Sequence, residues 1–360
     1  MKKVVTVIGA RPQFVKAAVL SKIIKKHNTI QEVIIHTGQH FDANMSAVFF
    51  EEMMIPKPAY NLEVNSLSHA AMTGQMMGKI EEILEIERPE ALIVYGDTNS
   101  TIAGALAAKK MNIKVVHIEA GLRSFNMNMP EEINRILTDR ISDLLSCPSQ
   151  GAINNLHNEG FQNLPVLIEN HGDIMKDAVS YYSQFSVNKS SIIKDQKLQK
   201  NEFVLATIHR QENTDEISKL TAIFKALEEI HHTQPVILPL HPRTRMALEK
   251  VDIQPKINLI DPIGYYDMLE LLKNCSMVIT DSGGLQKEAF FTKKQCIVVR
   301  DETEWGELVA HRYAKVVGSN TKKIKQTFDT FRATKKEFTV DLYGNNVGEK
   351  IYQSIYQLIH

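Results

Sequence analysis

Short apolar runs alternate with stretches whose apolar residues recur every three or four positions, almost from one end of the chain to the other. The runs predict strands over Val4–Ile8, Glu32–His36, Ala91–Tyr95, Lys114–Ile118, Leu144–Cys147 and Val166–Glu169. A second series predicts strands over Phe203–Thr207, Val236–Pro239, Ile257–Ile260, Met277–Thr280, Cys296–Arg300 and Ala314–Val317. Runs such as "VVTVI" and "MVIT" are apolar at nearly every position, as parallel strands covered on both faces are. Between them the spacing predicts helices, among them Ser100–Lys110, Glu131–Ser142, Glu216–Thr233, Tyr266–Lys273 and Leu285–Thr292. Strand–helix alternation of this kind builds parallel sheets with right-handed crossovers. Twelve strands exceed what one open sheet usually holds, so two sheets are expected.

A chain of 360 residues has room for both. Residues 184–202, "QFSVNKSSIIKDQKLQKNE", are polar and lysine-rich with no sustained period, and read as the seam. The helical stretch before them, Ile174–Ser183, reads as part of the hinge. The division is then a Rossmann-like domain over 1–183, a second over 184–346, and a terminal amphipathic helix over 347–360 that could pack on either, the first being the one expected. Two doubly wound α/β domains place ligands at the carboxyl ends of their strands.

Charge and composition narrow the partners. With 42 basic and 42 acidic residues the chain lacks the basic stripe of a nucleic-acid binder. No apolar run reaches the roughly 18 residues of a membrane span. The opening "MKKVVTVIGARPQ" reads as a first core strand rather than a leader, because Arg11 and Lys16 follow its apolar run at once. Cys147, Cys275 and Cys296 are far apart and lack metal-ligand spacing, so they read as free buried thiols of a reducing cytoplasm.

Candidate chemistry gathers at the predicted strand ends. The turn "GARPQ" joins a strand to a helix, where unbonded N–H groups suit an anion, and Arg11 and Lys16 add positive charge there. Asp97 ends one strand in "GDTNS"; Glu119 and Arg123 follow the next in "EAGLRS"; Glu131 opens a helix in "MPEEINR", with Arg135 one turn on. Three acids at successive strand ends would converge on one crevice. Further along, "TIHRQEN" supplies His209 and "LPLHPRTR" supplies His241. In "TDSGGLQKEA", Ser282, Gly283 and Gly284 lead from a buried strand into a helix, a form that lets a backbone approach a diphosphate, and Glu288 is spaced to hold a ribose. "RDETEWGEL" adds charges that would close the cleft or simply cap a loop. Neither GxGxxG nor GxxxxGK[ST] occurs at these turns, which disfavours dinucleotide and P-loop sites.

Taken in order, "GARPQFVK", "HTGQHFD", "YGDTNST", "HIEAGLRS", "PEEINR", "TIHRQEN", "TDSGGLQKEA" and "RDETEW" resemble the non-hydrolysing UDP-N-acetylglucosamine 2-epimerase family over essentially the whole chain. The resemblance implies glycosyltransferase-B architecture, a UDP-sugar substrate, no cofactor or metal, and a homodimer formed through the first domain. It implies inversion at C2 by elimination and re-addition of UDP. Asp97, Glu119, Glu131 and His209 map onto the family's catalytic residues. Arg11, Lys16 and Arg135 would stabilise anionic groups, and His241, Ser282, Gly283, Gly284 and Glu288 would hold the nucleotide. Asp42 and Gln75 stand where commoner members carry a Gln and an Arg of an activating UDP-sugar site, so the resemblance does not extend to that site. The wording of several motifs is most similar to the branch acting on UDP-2,3-diacetamido-2,3-dideoxyglucuronate. UDP-N-acetylglucosamine is the alternative substrate, and a glycosyltransferase or a hydrolysing epimerase of the same architecture are alternative activities; Arg11-Pro12 disfavours the last.

Overall fold

The computed structural model describes residues 1–39, 55–334 and 336–360, with the side chain of Arg11 excepted. Asp42, and with it the "HFD" motif, lies outside the described residues. The chain divides into two compact units: Met1–Ala178 with Asp341–His360, and Val179–Val340.

The first unit holds a parallel sheet of β1 (Lys2–Ile8), β2 (Ile30–His36), β3 (Tyr60–Asn61), β4 (Ala91–Tyr95), β5 (Lys114–Ile118), β6 (Leu144–Cys147) and β7 (Leu167–Asn170). Their order is β3-β2-β1-β4-β5-β6-β7, with Thr6 opposite both Ile34 and Ile93. The second unit holds a parallel sheet of β8 (Val204–Thr207), β9 (Val236–Pro239), β10 (Asn258–Ile260), β11 (Met277–Thr280), β12 (Cys296–Val298) and β13 (Ala314–Val316), in the order β10-β9-β8-β11-β12-β13. Each order reverses once, between β1 and β4 and between β8 and β11. At such a switch point the crossovers leave on opposite faces and open a crevice beyond the strand ends.

Burial explains why these segments are strands. Leu92, Val94, Val5 and Val7 are fully buried against Met76, Ile80 and Leu84 of the helix His69–Glu87. In the second unit Val204, Ala206, Leu238 and Ile279 meet Phe224, Leu227 and Phe328. The three cysteines are free and buried.

Two features differ from the pattern-based expectation. Tyr60–Asn61 is an added edge strand, too short for alternation to register, pairing with Ile35 and His36. The helix expected over Ile174–Ser183 runs on to Lys189, and the first division between units falls inside it. Packing overrides the polar composition: Tyr182 meets Tyr265 and Tyr266 edge-on, the buried Ser186 hydroxyl donates to Glu270, and Lys189 lies over the Tyr266 ring.

The helix Val347–Ile359 completes the first unit beside the helix Arg11–His27. Lys26 and His27 bond Glu349 at 2.8 and 2.7 Å, and the Gly348 amide donates to Asp177 at 2.9 Å.

Candidate active site

The β1/β4 switch point carries the first cluster. Gly9 is set by packing, because a Cβ there would overlap the hydroxyls of Ser100 and Thr37. The N–H groups expected to face an anion are used inside the protein: Gly9 and Ala10 donate to Gln13 Oε1 at 2.7 and 3.0 Å. Gln13 Nε2 in turn donates to the Tyr95 carbonyl and to Thr98 and Thr101 Oγ1, at 2.7, 3.0 and 3.1 Å. One buried amide thus clamps the turn after β1 to the turn after β4. Sequence reasoning missed it, since a single Gln in a first helical turn carries no signal of its partners.

Asp97 follows β4 through Gly96. Its carboxylate accepts from Arg135 Nη2, and its carbonyl accepts from Asn134 Nδ2 at 2.9 Å, so the helix Pro130–Ile141 is tied to this turn. Arg135 Nη1 also donates to Glu132 at 2.6 Å. Glu132 is fully buried and accepts from the Ser124 and Phe125 amides, both at 2.9 Å; it holds the loop. Glu119 follows β5 with φ +75°, a conformation that costs a non-glycine residue about 1–3 kcal/mol. The Glu119 and Ala120 amides hold it there by donating to the Ser146 carbonyl at 3.0 and 3.1 Å. Its carboxylate pairs with the buried Lys16, and Oε2 lies 3.4 Å from where a Gly96 Cβ would stand. The fold therefore brings Lys16, Glu119, Asp97 and Arg135 into one set. Glu131 stands half-buried in the helix's first turn, with no hydrogen bond or ion pair tying it to the other acids among the described residues. Arg123 is not a surface of this cluster: it is buried in ion pairs with Asp139 and Glu159.

The β8/β11 switch point carries the second cluster. Asp281 is fully buried, and its carboxylate accepts from the His209 amide (3.0 and 3.1 Å), the Arg210 amide (2.9 Å) and Asn213 Nδ2 (3.1 Å). It folds the "HRQEN" loop over the strand ends. The His209 ring lies 5.4 Å from that of His241, which caps the helix Pro242–Lys250 by accepting from the Arg243 amide at 3.2 Å. Burial pushes the His209 imidazole below its ordinary range; Asp281 opposes this, while Arg210 and Arg243 push the same way. The shift favours the neutral ring. Replacing Arg243 with Gln removes one repelling cation, so NMR titration of the variant should find the His209 pKa raised; an unchanged or lower value would remove Arg243 from this account.

Ser282 caps the helix Gly283–Phe291, whose first N–H groups face out of its N-terminus. Gly283 and Gly284 are its first two residues, neither at positive φ. A Cβ on Gly283 would find only ordinary contacts with Glu304, Trp305 and Arg210, at 3.6 to 3.9 Å. One on Gly284 would meet nothing within 4 Å. Glu288 is nearly buried beneath them, close enough to Tyr265 to act on its hydroxyl. The "RDETEW" segment is internally paired. Arg300 grips Glu304 at 3.0 and 3.1 Å, and Trp305 Nε1 donates to the Gly283 carbonyl at 3.0 Å while Lys287 lies over its ring. Among the described residues, no group of three His, Cys, Asp or Glu side chains is arranged to hold a metal ion.

Two doubly wound units, each with polar side chains at its switch point, define the class as glycosyltransferase-B-type α/β proteins. The model of the UDP-N-acetylglucosamine 2-epimerase family matches residues 22–356, and the chain belongs to that family. It is an isomerase, an epimerase by reaction class. It is 49% identical over 343 residues to the UDP-2,3-diacetamido-2,3-dideoxy-D-glucuronate 2-epimerase of Pseudomonas aeruginosa, covering 95% of this chain and 96% of that one. It is 32% identical to the UDP-N-acetylglucosamine 2-epimerase of Neisseria meningitidis, covering 91% and 90%. The crystal structure of the Methanocaldococcus jannaschii UDP-GlcNAc 2-epimerase, in complex with UDP-GlcNAc and UDP, superposes with a TM-score of 0.91 at 37% identity, covering 99% of this chain and all of that one. No described helix is long and apolar enough to cross a membrane.

Proposed function

We propose that the chain interconverts UDP-2,3-diacetamido-2,3-dideoxyglucuronate and its manno epimer, with UDP-N-acetylglucosamine as the competing substrate. The observation that carries the reading is the set Asp97, Glu119, Lys16 and Arg135 at one switch point, in a chain whose Pseudomonas relative is named for that uronate. A base takes the C2 proton and the anomeric C–O bond breaks, its electron pair leaving with UDP and a C1–C2 double bond remaining. An acid then protonates C2 from the other face as UDP re-adds at C1. Asp97, Glu119, Glu131 and His209 are the groups proposed for these proton transfers. Arg11, Lys16 and Arg135 would offset negative charge as the diphosphate departs. Ser282, Gly283, Gly284, Glu288 and His241 would grip the nucleotide. No redox cofactor is needed, since the substrate is neither oxidised nor reduced overall.

The finer expectations belong to the same proposal. Phe125, Met127, Ile133 and Leu137 are each exposed on the first unit, which suits a homodimer contact there. The free thiols suit a cytoplasmic enzyme supplying surface polysaccharide or lipopolysaccharide precursors. Gln75 is exposed on its helix and offers no cation for an activating nucleotide sugar, so no activator should be required.

Incubation of each UDP-sugar in deuterated water, without activator and followed by NMR, tests the reading. Deuterium at C2 with UDP retained, faster on the uronate, is expected. Exchange confined to UDP-N-acetylglucosamine would overturn the substrate, release of free UDP and sugar would make the enzyme hydrolysing, and no exchange would reject both.

A further inference from the structure

Behind the acid-bearing turns lies a buried ion network that the proposed chemistry does not use. His117 of β5 and Asp139 of the helix Pro130–Ile141 are both fully buried. His117 Nδ1 is 2.7 Å from Asp139 Oδ1, and Nε2 is 2.7 Å from the Gly96 carbonyl oxygen. That carbonyl can only accept. Burial pushes the Asp139 carboxyl up, but attraction to His117 and Arg123 and the bonds they donate outweigh it and hold the group below its ordinary range. Asp139 is therefore an acceptor as well, and His117 bridges it to the Gly96 carbonyl through its two ring nitrogens. The second oxygen of Asp139 accepts from the Gly121 amide at 3.1 Å and from Arg123 Nη1 at 2.7 Å. Arg123 then reaches Glu159 through two bonds of 2.7 and 2.8 Å.

Such a pair is weak evidence of stability, because apolar side chains of similar volume would serve a buried interior as well or better. Its geometry gives it another use. Gly96 immediately precedes Asp97, and Gly121 lies two residues after Glu119, whose backbone is held at positive φ. We infer that Asp139 is a positioning residue that, directly through the Gly121 amide and indirectly through His117, sets the two turns carrying Asp97 and Glu119. The two acids come from different strands, and this one carboxylate fixes their spacing. The inference rests on the proposed function, since it matters to the extent that those acids move protons. Displacement of a reacting group by about 1 Å costs on the order of 100-fold in rate, whereas binding by the second unit is untouched by it.

The test compares His117→Asn, which cannot span Asp139 and the Gly96 carbonyl, with Glu159→Gln, which loosens only the outer end of the network. For His117→Asn we expect kcat and C2 exchange to fall by about 100-fold. KM and the calorimetric affinity for UDP should stay within about twofold. Glu159→Gln should lower the melting temperature while kcat stays near that of the wild type. Unchanged kcat in His117→Asn overturns the inference; so does an equal kcat loss in both variants at equal loss of stability, which would make the network merely structural. Should His117→Asn not fold, His117→Gln decides by the same split: kcat lost with UDP affinity kept supports the inference, and unchanged kcat overturns it. A wild-type enzyme with no C2 exchange overturns the proposed function, and the inference with it. An active wild type beside an equally active variant overturns the inference alone.

Discussion

Asp97→Asn abolishes deuterium incorporation at C2 while the protein stays folded and keeps its affinity for UDP. The expected loss in kcat is at least about 10²–10⁴-fold, the usual contribution of a positioned acid or base. Asn keeps the shape of the side chain and can still accept from Arg135, which also retains Glu132. The buried Arg135 keeps Glu132 as a partner, so neutralising the Asp97 carboxylate strands no buried charge. The bond from the Asn134 side-chain amide to the Asp97 carbonyl does not involve the carboxylate at all. Glu119→Gln should lose as much activity but more stability, because it leaves the buried Lys16 without its countercharge. Calorimetry, UDP titration and the exchange assay on the same preparation separate these effects. Near-normal exchange in Asp97→Asn would remove the first cluster from the chemistry.

Gly284→Ala should weaken UDP binding by about tenfold or more, which is about 1.4 kcal/mol, without destabilising the protein. The fold gives this glycine no reason to exist. It is helical, its φ is not positive, and a methyl group there would meet nothing within 4 Å. Alanine in a helix is ordinarily worth about 0.5–1 kcal/mol more than glycine, so the melting temperature should hold or rise. What a methyl would obstruct is a ligand drawn close to the helix N-terminus. Gly9 is the opposite case: the surrounding hydroxyls leave no room, and a side chain there would disturb the turn before any ligand arrived. A Gly284→Ala variant with unaltered UDP affinity would move the diphosphate elsewhere.

The fold was legible where strands are buried on both faces. Ala91–Tyr95, Lys114–Ile118, Leu144–Cys147, Val236–Pro239 and Met277–Thr280 coincide with the apolar runs that announced them. Tyr60–Asn61 was not legible, because two residues soon after Pro56 and Pro58 have no period. The end of the helix Ile174–Lys189 was not legible either, since its second half is held by tyrosines from a distant segment. The strand-end acids could be picked out because parallel topology puts the residue after each strand at the same edge. Gln13 and Asp139 could not be assigned roles, as each acts through partners that only the fold brings near. His117 left a trace, a polar residue inside "KVVHI", which signals a buried bond without naming the partner.

The unit that carries the acids is built from both ends of the chain. Its helix Val347–Ile359 covers the helix Arg11–His27, although the whole second unit lies between the two in sequence. During translation the helix Arg11–His27 therefore waits for its cover until the second unit has been made. A stop shortly after Val340 would spare the whole second unit and still leave Ile23 and Val19 facing water. The unit bearing Asp97, Glu119 and Glu131 is consequently the one that depends on chain made on the far side of its neighbour.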